Sequence, residues 1–218
     1  MQGPEAGGAP LGPGLPGRVY RAMIFDLGKV LVQFDFRRGY QALEGICPYR
    51  ADEIPKRIAG TGLVNRFETG LIEPPDFFEQ LSRVLDLRLD YGAFCEIWSG
   101  IFTDTLVPEN MLEGLARRYR LLLLSNTNAI HFEMVRERYG LLRHFHDLIL
   151  SYEVKAMKPQ AEIFQVAVER AGCRPEECFY TDDIPAFTEA ARRLGIDAVT
   201  FESAGQLARE LQSRGIQW

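Results

Sequence analysis

The sequence predicts an α/β protein: a doubly wound, Rossmann-like parallel sheet with a helical cap inserted after the first strand. Three observations carry this. Short β-rich apolar runs stop on polar residues at Asp26, Ser125, Ser151 and Thr181. Helical patterns of about ten residues alternate with those runs, which implies right-handed βαβ units and a sheet covered on both faces. Residues 38–105 break the rhythm, with amphipathic helical patterns and no convincing strand.

Residues 1–17 hold six glycines and four prolines. With no charged segment ahead of an apolar one, they read as a disordered tail and not as a secretory signal. The α/β core is expected at 18–37 and 106–218, and the cap at 38–105. Residues 19–25 (VYRAMIF) end on Asp26 and Gly28, as a buried strand followed by a tight loop does. Within the cap, Phe77, Phe78, Leu81, Val84 and Leu85 mark one amphipathic helix, and Phe94, Ile97, Trp98 and Ile101 another. Beyond it, further strands are expected at 121–124, 148–150, 178–180 and 198–201. Helices are expected at 110–119, 131–139, 159–171 and 186–194, with a last one ending near Gln212. The clearest places Ile163, Phe164, Ala167, Val168 and Ala171 on one stripe, with Pro159 near its first turn and Gly172 just past its end.

The chain has 218 residues, 46% hydrophobic and 25% charged, which is ordinary for one globular domain with an inserted lobe. Thirty acidic against twenty-five basic side chains leave a net charge of −5, with no Lys/Arg block to bind a phosphate backbone. No nucleic-acid partner is expected. Apolar runs such as 121–124 fall far short of the roughly 20 residues that span a bilayer, so no membrane partner is expected either. Cys47, Cys95, Cys173 and Cys178 form no CxxC pair, and Cys95 and Cys178 lie in apolar runs. Free thiols in a reducing cytoplasm are the plain reading. His144 and His146 have no third ligand nearby and read as a surface feature. The oligomeric state is not legible.

Ligands of open parallel sheets bind outside the carboxyl ends of the strands. Collected there are Asp26, Ser125, Asn126, Asp182 and Asp183, together with Lys158, which closes the loop before a helix. Singly, each has a dull reading as a turn former, a cap or a surface lysine. Together, carboxylates suit a hard cation, and hydroxyl and ammonium donors suit phosphate oxygens.

In order and spacing, Phe25-Asp26-Leu27-Gly28-Lys29-Val30, Leu124-Ser125-Asn126-Thr127-Asn128, Met157-Lys158-Pro159 and Tyr180-Thr181-Asp182-Asp183 resemble the four motifs of the haloacid dehalogenase-like hydrolase superfamily. The likeness runs from Val19 to Phe201 and includes the position of the cap, as in members with a C1 cap. The wording is most similar to sugar-1-phosphate phosphatases and to the phosphatase domain of epoxide hydrolases. The resemblance implies an Mg²⁺-dependent phosphatase of a small phosphorylated metabolite. Asp26 would be the nucleophile that forms an aspartyl-phosphate. Mg²⁺ would be held by Asp26, the Gly28 carbonyl and Asp183, with Asp182 in support. Ser125, the Asn126 amide and Lys158 would clamp the phosphoryl oxygens.

Two positions depart from the pattern. Gly28 stands where phosphatases of the family usually carry a second Asp as general acid and base, a group worth about 10² to 10⁴ in rate. Substrates with good leaving groups, such as anomeric, acyl or aryl phosphates, are therefore expected to be favoured. Asp35 is a candidate surrogate acid, with a turn or cap as its plainer role. Phe187 stands where an Asn or Asp commonly completes the site, which is expected to leave Lys158 or a metal-bound water short of a partner and to weaken Mg²⁺ binding. In the cap, Arg66, Phe67, Glu68 and Trp98 are candidates for substrate contact. Two rivals stay open. A degenerate module that binds a phosphorylated ligand fits Gly28 and Phe187, and a metal-independent dehalogenase has little use for Asp182 and Asp183.

Overall fold

The computed structural model describes residues 18–218, so the tail expected at 1–17 lies outside the described residues. The chain runs through β1 (Ala22–Phe25), β2 (Val32–Phe34), α1 (Phe36–Glu44), α2 (Ile54–Ala59) and α3 (Leu63–Glu68). It continues with α4 (Pro74–Leu85), α5 (Tyr91–Ser99), β3 (Phe102–Thr105), α6 (Glu109–Ala116), β4 (Arg120–Ser125) and α7 (Ala129–Arg138). Then come β5 (Asp147–Leu150), α8 (Ser151–Val154), α9 (Ala161–Ala171), β6 (Cys178–Asp182), α10 (Pro185–Arg193), β7 (Asp197–Thr200) and α11 (Ala204–Ser213).

Five strands pair in parallel in the order β5-β4-β1-β6-β7. Each is apolar on both faces, as burial under helices on two sides requires. Met23, Phe25, Leu121, Leu123 and Phe179 point into one core. Ala22, Ile24, Leu122, Leu124 and Tyr180 point into the other. Each large side chain so buried contributes about 1.5–3 kcal/mol before the entropy of ordering it is subtracted. The chain winds outward from β1 to β4 and β5, then returns to β6 and β7, so the switch point lies at the end of β1.

The expected strands and helices are present, with ends shifted by a few residues. Val19 is exposed, and β1 begins only at Ala22. The reading of residues 38–105 as strand-free is corrected. Its last segment, β3, pairs antiparallel with β2 and forms a two-stranded flap beneath the cap. On β3, Thr103 is half-buried and Asp104 and Thr105 are exposed, all three polar, so the segment carries no apolar alternation to betray a strand.

The cap helices close around their own core, in which Phe67 stacks on Phe77 at 4.2 Å and Trp98 on Phe94 at 5.5 Å. Two joints fix this lobe to the sheet domain. At Gly70 the backbone turns through φ +65°, and a Cβ there would lie 2.0 Å from the Tyr152 carbonyl oxygen on α8, so only glycine allows the approach. At the other joint, His131 of α7 places Nε2 2.9 Å from the Trp98 carbonyl, while Nδ1 meets the Asn128 amide at 3.0 Å. Asn128 also caps α7 by accepting from the His131 N–H at 3.0 Å.

Burial pushes the His131 imidazole down to about 4, so it is neutral in the folded protein. The unfolded chain, with an ordinary histidine near 6.5, takes up the proton first as pH falls. Stability is therefore complete above about pH 7 and declines toward pH 4, by about 2 kcal/mol between pH 7 and 5. Urea midpoints at the two pH values check this, and His131→Gln is expected to shrink the difference.

Candidate active site

Parallel pairing brings the carboxyl ends of β1, β4 and β6 side by side. Asp26 leaves β1 with its N–H donating to the Thr181 carbonyl at 3.0 Å, Ser125 ends β4, and Asp182 ends β6. Lys158 arrives from the loop between α8 and α9. Its Nζ donates to Asp26 Oδ1 at 2.6 Å, Asp182 Oδ2 at 2.6 Å and the Leu124 carbonyl at 3.1 Å. All three charged groups are buried, with Lys158 4% and Asp182 0% exposed.

The electrostatics follow from that burial. Loss of water raises the Asp26 carboxyl to about 7, the Asp182 charge adds to the rise, and Lys158 partly offsets it. For Lys158, burial pulls downward, but the two carboxylates outweigh it and hold the ammonium charged. Asp183 is half-buried and also raised, by burial first and by Asp182 next. Tyr180, buried beneath the site, donates its hydroxyl to Asp182, and the Ile184 N–H donates to the other oxygen at 2.9 Å.

Ligand atoms of Asp26, Asp182 and Asp183 lie within 4.8 Å of one another. The loop after Asp26 is closed by the Leu31 and Val32 N–H groups on the Leu27 carbonyl and the Lys29 N–H on the Val32 carbonyl, bonds that leave the Gly28 carbonyl out. This is a hard-oxygen donor set suited to Mg²⁺. The Asn126 side chain is engaged with the Lys158 backbone, accepting from its N–H at 2.8 Å and donating to its carbonyl at 3.0 Å. It positions the Lys158 loop with its amide oxygen and one of its two amide N–H groups.

Two expectations at the departing positions are corrected. Phe187 does not leave Lys158 short of a partner, because Asp26, Asp182 and Leu124 satisfy all three ammonium donors. Its ring lies 5.2 Å from Nζ as an apolar neighbour. Asp35 cannot act as an acid, because it caps α1 and pairs with Arg37 at 2.8 Å. The Arg37 side-chain and backbone hydrogen bonds hold its carboxyl below the usual range, in the open.

Gly28 is more than a missing side chain. A Cβ there would lie 2.6 Å from the Phe34 ring, which packs edge-on against Phe36 at 4.9 Å and Phe102 at 5.9 Å. Phe34 thus fills the direction an acid at this position would take. Of the cap candidates, Phe67 and Trp98 are buried in the cap core, and Arg66 is exposed with a 3.4 Å contact to Gln80. Glu68 alone lines the small cleft beside the ends of β1 and β4, with Gly28, Phe34, Ser125, Asn126 and Thr127.

That cleft has a volume of about 50 Å³, whereas pockets that hold small ligands run to about 300 Å³ or more. A larger concavity of about 610 Å³ lies between α5 and α7, lined by Tyr91, Cys95, Glu133 and Met134, but none of Gly28, Ser125 and Asn126 lines it.

The family model of haloacid dehalogenase-like hydrolases matches residues 20–195, the span that contains every residue of this cluster. The chain belongs to this family. A D-ribitol-5-phosphate phosphatase of Bacteroides thetaiotaomicron is 27% identical over 196 residues, covering 87% of this chain and 95% of that protein. A phosphatase of Mycobacterium tuberculosis is 26% identical over 213 residues, covering 89% and 94%. Among solved structures, a family enzyme from B. thetaiotaomicron in complex with magnesium and inorganic phosphate superposes with a TM-score of 0.76 at 29% identity, covering 84% of this chain and 95% of that one.

Motif reading names Tyr180 but gives it no role, and it passes over His131 and Phe34. Tyr180 is hidden as one more apolar strand residue. His131 is marked only by its place three residues after the capping Asn128, and Phe34 by nothing local.

Proposed function

We propose that the chain is an Mg²⁺-dependent phosphatase of a small phosphorylated metabolite, foremost a sugar or polyol phosphate. The observation that carries this reading is Lys158, buried between Asp26 and Asp182 with Asp183 alongside. The substrate class follows the named activity of the Bacteroides relative, which spans nearly the same length. Four free cysteines suit a reducing cytoplasm.

Asp26, Asp183 and the Gly28 carbonyl would hold the ion, with Asp182 engaged behind them on Lys158. When bound, Mg²⁺ supplies the positive charge that favours the ionised form of Asp26 and offsets the charge of the phosphoryl group. Asp26 attacks phosphorus through the oxygen that Lys158 does not hold, giving an aspartyl-phosphate that water then hydrolyses. Ser125 and the Asn126 N–H meet the phosphoryl oxygens as charge builds, and the Lys158 ammonium, held by its three partners, acts on them through its charge. Tyr180 and Asp182 fix the lysine, so little reorganisation accompanies the reaction.

A dehalogenase leaves the Asp182 and Asp183 pair without a task. A degenerate binding module predicts a loosened lysine, whereas this one is fully held. Hydrolysis of a panel of sugar, polyol, nucleotide and aryl phosphates tests the choice. Turnover is expected with Mg²⁺ and is expected to fall to background with excess chelator. No turnover by folded protein across the panel overturns the reading.

A further inference from the structure

We propose that Glu68, reaching down from the cap, is the proton donor to the leaving oxygen, the task that Gly28 cannot perform. The inference rests on the phosphatase reading above and names a catalytic residue for it.

Three observations converge. The usual place for the acid is closed, because Phe34 stands 2.6 Å from where a side chain at Gly28 would begin. Asp35, the next acidic residue along the chain after Gly28, is exposed and tied to Arg37. Glu68 is the last residue of α3, and the turn that follows is pressed on the core at Gly70 and Tyr152. Beside Tyr152, the Ser151 hydroxyl accepts from the Thr127 N–H and donates to the Thr127 carbonyl, both at 3.0 Å, which places the end of α3 over the Ser125–Thr127 loop. Glu68 accordingly lines the cleft with Gly28, Ser125 and Asn126.

Its chemical state suits the role. Burial alone raises the Glu68 carboxyl to about 7, and no cation among the described residues pairs with it. As Asp26 bonds to phosphorus, the bond from phosphorus to the leaving oxygen breaks and its electron pair stays on that oxygen. The oxygen takes the Glu68 proton and departs as a neutral alcohol. In the second half, water attacks the aspartyl-phosphate and gives a proton back to the Glu68 carboxylate, which restores the starting state. Gly28 by itself limits the chain to good leaving groups, and an acid from the cap removes that limit.

The test compares kcat/KM of native protein and Glu68→Gln on an alkyl substrate, D-ribitol 5-phosphate or glucose 6-phosphate, and on p-nitrophenyl phosphate. The ratio kcat/KM reports events through departure of the leaving group. Loss of roughly 10² to 10⁴ on the alkyl phosphate is expected. On the aryl phosphate, whose leaving group needs no proton, a change below about tenfold is expected. Equal losses on both substrates would mark a structural or binding role, and no loss on either would mark no role, so each overturns the inference while leaving the phosphatase reading intact. Absence of native turnover on both, and across the wider panel of phosphates, overturns that reading and the inference with it.

Discussion

Lys158→Met is expected to cost both activity and stability. The ammonium is the only cation among the described residues that touches Asp26 and Asp182. Removing it leaves two carboxylates buried without a partner, and breaking a buried pair in this way costs about 3–5 kcal/mol. The penalty belongs to the ionised carboxylates. It is therefore expected to be largest at pH 8 and to shrink toward pH 6 as Asp26 takes up its proton, which urea midpoints at the two pH values measure. Loss of the same charge from the transition state is expected to lower kcat by at least roughly 10²–10³. Equal midpoints for variant and native protein at pH 8 would mean that the buried network does not hold the site together.

Asp26→Asn is expected to separate function from stability. Turnover should fall by roughly 10⁴–10⁶, the scale seen when a nucleophile is removed. The fold should gain. Burial raises the Asp26 carboxyl from 3.8 to about 7, so between those values the unfolded chain has already released its proton while the folded one holds it. Stability from this group is complete at low pH and declines as pH rises toward 7. An uncharged side chain of the same shape escapes that decline, while Lys158 keeps Asp182 and the Leu124 carbonyl. In metal-free protein at pH 8, a Tm increase of roughly 2–8 °C is expected for a gain of 1–2 kcal/mol. A lowered Tm would contradict the assignment of Asp26 as a residue held against its folding preference.

The sheet was legible because its signal is local. Runs such as Leu121 to Leu124 are apolar on both faces and stop on a polar residue, and that pattern marks both the strand and the place where ligands bind. The same logic brought Asp26, Ser125, Lys158, Asp182 and Asp183 together before any contact was known. What the sequence hid are properties of pairs distant in the chain. Nothing near Gly28 reports that Phe34 fills the vacated space, and nothing near Phe187 reports that Lys158 is already satisfied from β1, β4 and β6. Glu68 sits beside Phe67 on a short helix, and only the packing of Gly70 on Tyr152 separates the residue that faces the cleft from the one that fills the cap core. The β2–β3 flap escaped because Thr103, Asp104 and Thr105 lack the apolar alternation that announces a strand.

The central claim is that Asp26 carries the phosphoryl group between substrate and water. Mixing the protein with Mg²⁺ and an accepted phosphate ester, quenching in acid within the first turnovers and mapping peptides by mass spectrometry tests it most directly. The account predicts a phosphoryl group on the Asp26 peptide that disappears as substrate is exhausted and is absent in Asp26→Asn. Steady turnover with Asp26 unmodified at every quench time, or turnover that survives Asp26→Asn, would contradict it.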